Sequence, residues 1–164
     1  MKRFSKPALA LMLAAVLFIC SLVGCGKKAE NAPATDGKKT YKIGICNYVD
    51  DASLNQIVAS VKTRLGTLAA ENNVTFDISL DNCNADANLL SQIISNFEAD
   101  RVDLMVAVAT PVAMAMQSAT EESGTPVVFA AVSDPVSVGL VDSLEAPGSN
   151  LTGTSDYLDT AAVM

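Results

Sequence analysis

From Tyr41 to Ser155 the chain alternates between short apolar runs and longer segments with apolar residues every three or four positions. This rhythm constrains the fold more than any other feature. Runs such as Leu104–Ala109 are continuously apolar, as expected of strands covered on both faces. The longer segments carry one-sided stripes, as amphipathic helices do. The pattern predicts strands over Tyr41–Asn47, Thr75–Leu80, Leu104–Ala109, Pro126–Ala131 and Asn150–Ser155. It predicts helices over Ser53–Ala70, Asp86–Ala99, Val112–Ser123 and Val136–Leu144. Leu54, Ile57, Val58, Val61, Leu65 and Leu68 stripe the first helix, and Ser53 with Gln56 fits a capping box at its start. Leu89, Leu90, Ile93, Ile94 and Phe97 stripe the second, and Gly124 is placed to end the third. Strand–helix alternation with right-handed crossovers gives an α/β fold, a doubly wound parallel sheet.

In such sheets ligands bind beyond the carboxyl ends of the strands, at the point where the winding reverses. The residues expected there are Tyr48, Asn82, Thr110-Pro111, Asp134-Pro135 and Asp156. Thr110-Pro111 and Asp134-Pro135 both read as a capping oxygen followed by proline at a first helical position, where the missing N–H costs nothing. Two helix starts at one sheet edge would offer N–H groups and positive dipole ends to a carboxylate. Asp134 and Asp156 would face an ammonium through charge-assisted bonds. Tyr48 would lend an aromatic face, and Asn82 both a donor and an acceptor. Together these groups suit a zwitterion such as an amino acid. Each residue also has a plain alternative: helix capping, a solvated turn, or a packed loop side chain.

The composition excludes several functions. Histidine is absent, which removes the usual general base and the commonest metal ligand. No nucleophile elbow, phosphate loop or dinucleotide fingerprint occurs, so neither catalytic residues nor a cofactor or metal is expected. The net charge is −7, with 18 acidic against 11 basic residues, and nothing resembles a nucleic-acid footprint.

The amino terminus sets the location. Lys2, Arg3 and Lys6 precede an apolar run of about 15 residues, too short to span a bilayer, which closes at Leu22-Val23-Gly24-Cys25. Residues 1–24 read as a signal peptide. Leu-Val-Gly-Cys resembles a bacterial lipobox, which implies a lipid on Cys25 and a protein anchored on the extracytoplasmic face of the cell membrane. Residues 25–40 are polar, with Pro and Gly, and read as a flexible tether. Residues 41–155 would form the ligand-binding lobe. Cys46 and Cys83 fall near the carboxyl ends of neighbouring strands. They read either as a disulfide or as two buried thiols.

Certain segments carry a closer likeness. They are Lys42-Ile43-Gly44-Ile45, Asp81-Asn82, Val106 to Pro111, Val128-Phe129-Ala130-Ala131-Val132-Ser133-Asp134-Pro135-Val136, Gly139-Leu140-Val141, and Pro147 to Asp156. In this order they resemble the ABC-transporter substrate-binding lipoproteins of the tryptophan/tyrosine type, which have a type I periplasmic-binding-protein fold. The resemblance implies a non-enzymatic importer subunit that captures an aromatic or other hydrophobic amino acid and docks on a permease. It also implies two lobes closing about a hinge, with Asp156 at the crossing. Residues 156–164 then read as hinge and stub, with the second lobe missing. The other readings are a ligand-sensing surface lipoprotein presenting to a membrane receptor, and a truncated product without function.

Overall fold

The computed structural model describes residues 37–156. The expected signal peptide, the Cys25 anchor, most of the tether and the stub after Asp156 lie outside the described residues. The described residues from Lys38 onward belong to one compact unit. No helix among the described residues is long and apolar enough to cross a membrane.

The elements run β1 (Lys39–Asn47), α1 (Ala52–Asn72), β2 (Val74–Asn82), α2 (Ala87–Ala99), β3 (Leu104–Val108), α3 (Thr110–Thr120), β4 (Val127–Val132) and β5 (Leu151–Ser155). The strands form one parallel sheet in the order β2-β1-β3-β4-β5. The winding reverses between β1 and β3, which opens a crevice at their carboxyl ends.

Alternation along the strands divides the core in two. Ile43, Ile45, Val106 and Val108 point to the face covered by α1, where Val58 and the half-buried Leu54, Ile57, Val61 and Leu65 meet them. Cys46, Met105, Ala107, Val127 and Phe129 point to the other face, under α2 and α3. There Ile93, Ile94 and Phe97 of α2 join Val112, Ala113 and Met116 of α3. Gly44 is required at this face: a Cβ on it would sit 2.7 Å from the buried Phe97 ring.

Four sequence expectations need correction. Asp51, not Ser53, caps α1, and its carboxylate accepts from the N–H groups of Ser53 and Leu54. An ionised acceptor at a helix N-terminus also complements the dipole, so the aspartate takes the position ahead of the serine. The tether ends before Lys39, because Lys39 and Thr40 already pair with Val74 and Thr75 in the ladder. The third helix ends at Thr120, and Gly124, at φ +65°, closes a turn back onto the Thr120 carbonyl. No helix spans Val136–Leu144. Pro135 starts a single turn, Gly139 at φ +72° stops it, and the chain then runs irregularly to Asn150. Three valines among Val136, Val138 and Val141 favour no helix that would override the glycine.

Candidate ligand-binding site

The carboxyl ends of the five strands gather every residue predicted for the site along one edge of the sheet. Across that edge the order is Asn82, Tyr48, Thr110-Pro111, Asp134 and Asp156.

On the β2–β1 side the loops are laced together. The Tyr48 carbonyl accepts from the Ala85 N–H at 2.9 Å and from the Cys83 thiol at 3.3 Å. The Tyr48 side chain is half-buried against the larger core. Asn82 Oδ1 accepts from the Asn84 N–H at 2.8 Å, which leaves its amide donors and one lone pair for a ligand. Asn47, the last residue of β1, is 3% exposed. Its Nδ2 donates to the Val49 carbonyl at 2.9 Å and to Asn55 Oδ1 at 3.0 Å, and Asn55 in turn donates to Asp50. This chain of amides fixes the β1–α1 loop that carries Tyr48. Asn47 Oδ1 has no hydrogen-bond partner among the described residues.

At the centre, Thr110 does not cap α3. The capping position belongs to Ala109, at φ 86° and ψ 154°, with no side-chain hydrogen bond. Its positive φ turns the chain one residue early, so Thr110 already lies in the helix and Pro111 follows within the first turn. An alanine has no oxygen to fold back, so the N–H groups of Thr110 and Val112 begin α3 without a side-chain cap. Holding a residue with a Cβ in this backbone region costs about 1–3 kcal/mol. Ala131, at φ 56°, sits beside a register shift in β4, and the Ala109 N–H donates to the neighbouring Ala130 carbonyl at 2.9 Å. Two strained alanines therefore shape adjacent strand ends at the crevice. Sequence offered no sign of them, since glycine is the usual marker of positive φ.

On the β4–β5 side, Asp134 caps a turn rather than a helix. Its Oδ1 accepts from the Ser137 N–H at 3.0 Å. The second helix dipole expected at this edge is therefore absent from the site. Ser155 Oγ donates to the Ser133 carbonyl at 2.9 Å and the Asp156 N–H to the Val132 carbonyl at 3.3 Å, which holds the two strand ends together. Ser133, Asp134, Pro135, Val136, Leu144 and Ser155 line a cleft of about 200 Å³ there. Its walls combine a carboxylate and two hydroxyls with apolar surface, Leu144 being 65% exposed. A larger cleft of about 510 Å³, lined by residues such as Tyr41, Leu68 and Phe76, lies at the amino ends of the strands. It holds one carboxylate, Asp103, and lies at the end opposite the loops where such sheets bind ligands. No cluster of metal-ligating side chains occurs among the described residues.

The family's sequence model, described as ABC transporter substrate binding protein, matches residues 42–162. The chain belongs to this family. A Clostridioides difficile (strain R20291) protein named tyrosine-binding protein is 38% identical over 159 residues, which is 94% of this chain and 46% of the relative. An ABC domain from Streptococcus pneumoniae, solved in complex with L-Trp, matches with a TM-score of 0.64 and 32% identity, over 73% of this chain and 39% of that one. A ligand-free, open substrate-binding protein with adhesive properties from Clostridium difficile matches with a TM-score of 0.62 and 35% identity, over 74% and 40%. The fold is therefore that of the type I periplasmic binding proteins. The chain spans about half the length of the curated relative it matches.

Proposed function

We propose that this chain captures a free amino acid, aromatic or otherwise hydrophobic, for an ABC importer, as a lipoprotein held at the membrane through Cys25. One observation carries the ligand class. The α3 start at the switch point has no side-chain cap, which leaves N–H donors and a positive dipole end for a carboxylate. Asp134 and Asp156 at the same edge are partners for an ammonium, and the apolar wall of Pro135, Val136 and Leu144 suits a hydrophobic side chain. A neutral sugar needs neither charged group. The tyrosine-binding relative and the L-Trp complex support the same class. Binding proteins act by closing around ligand, so the site needs no catalytic group. In that scheme the residues described here supply one wall of the site, and a permease is the docking partner.

A thermal-shift screen of amino acids, sugars and short peptides tests the proposal. Stabilisation by tryptophan or tyrosine, reduced in Asp156→Asn, is the expected result. A charge-assisted bond of this kind is typically worth about 1.5–3 kcal/mol. Stabilisation by a sugar and by no amino acid would contradict it.

A further inference from the structure

Cys46 and Cys83 are not among the groups proposed to meet the ligand, although Cys83 braces the Tyr48 loop, and the fold sets the two side by side. Cys46 is the penultimate residue of β1 and pairs across the ladder with Asp81. The ladder continues past the end of β2, where the Cys83 N–H donates to the Asn47 carbonyl at 3.0 Å. Both side chains are 0% exposed and belong to the same core cluster beneath α2. As unbonded thiols they also lie near backbone carbonyls, with Cys83 donating to Tyr48 at 3.3 Å and Cys46 to Asn47 at 3.7 Å.

We propose that Cys46 and Cys83 form an intramolecular disulfide when the chain folds in the presence of a disulfide oxidant, either a small-molecule disulfide or a thiol–disulfide oxidoreductase. The bond joins the end of β1 to the β2–α2 loop. One cysteine thiolate attacks the oxidant's disulfide and expels one oxidant thiolate. The other attacks the resulting mixed disulfide, closes the Cys46 Sγ–Cys83 Sγ bond and expels the second. The two thiol protons pass to the expelled thiolates, and the oxidant leaves reduced by two electrons, as two thiols.

Burial fixes when this happens. In the folded, reduced lobe neither sulfur meets water, and burial together with the Cys83 side chain pushes the Cys46 thiol up to about 12. Little thiolate is then present at neutral pH, and the thiolate is the reacting species. The bond therefore forms during folding, before α2 covers the pair, and it is then shielded from reductants. It also closes a loop containing all of α1 and β2, which removes freedom from the unfolded chain. The inference stands independently of the ligand proposal and of export.

The test refolds the full chain from denaturant in oxidised and reduced glutathione, alkylates it while denatured, and maps tryptic peptides. Cleavage after Lys42, Lys62, Arg64 and Arg101 places Cys46 in 43–62 and Cys83 in 65–101. The expected product is a joined 43–62/65–101 pair that separates on reduction. The oxidised protein should melt about 5–10 °C above the reduced one, a difference that Cys46→Ala/Cys83→Ala abolishes. Oxidation of the already folded, reduced protein should run at least about tenfold slower than during refolding. Full alkylation of both cysteines after oxidative refolding would overturn the proposal, as would their cross-linking to Cys20 or Cys25 instead. The peptide map of the unsubstituted chain decides this even if the double variant folds poorly.

Discussion

Helices α1 and α2 begin in one way and α3 in another. Asp51 and Asp86 each accept two N–H groups of the helix they precede, at 2.7–3.2 Å. Those two starts are closed: their donors are occupied and their dipole ends already meet a negative charge. Helix α3 follows Ala109, which has no side-chain acceptor and holds a strained backbone. The first two starts contribute to stability, whereas the third forgoes that contribution; under the proposed function its donors are kept for a carboxylate. The uncapped start falls at the switch point of the sheet, where ligands of this fold class bind. The helix end that lacks a side-chain cap is the one at the proposed site.

Substitution at Ala109 should break this contrast with the largest effect. A β-branched residue at φ 86° is sterically severe, so Ala109→Val should destabilise the lobe by about 2–3 kcal/mol in urea unfolding. Ala109→Gly should instead raise stability by roughly 0.5–1 kcal/mol, because glycine accepts that backbone without strain. A loss of stability in Ala109→Gly would mean that the backbone at Ala109 is not strained.

The caps give a smaller and sharper test. Asp86→Ala and Asp51→Ala should each cost about 1 kcal/mol, the usual worth of a side-chain N-cap. Thr110→Ala, which a sequence-based reading places at a cap, should cost under about 0.5 kcal/mol, since no helix start depends on its hydroxyl. Equal losses at Asp86 and Thr110 would erase the distinction between the helix starts.

Much of the lobe was legible because burial imposes a period. Leu104–Ala109 reads as a two-sided strand, and β3 fills it as far as Val108; of the stripe predicted for α2, Leu90, Ile93, Ile94 and Phe97 are buried and Leu89 is half-buried. The candidate site was legible as a location: the topology sends every expected residue to the same edge. Its details were less so. Pro135 signals a helix start, but sequence does not reveal that Gly139 adopts positive φ and stops the helix after one turn. Thr110 looks like a cap because threonine before proline usually is one, and nothing in an alanine marks the positive φ that moves the start. Asn47, at the end of an apolar strand, did carry a signal. A buried amide needs partners, and its bonds to Val49 and Asn55 support the Tyr48 loop.

Under the proposed function the α3 start receives the carboxylate of an amino acid. Backbone amide resonances followed by NMR during a tryptophan titration test it most directly. Progressive shifts are expected at Thr110 and Val112, while Ser53, Leu54, Asn88 and Leu89 at the closed starts stay in place. Shifts at those four with Thr110 and Val112 unmoved, or the same response to a neutral sugar, would contradict it.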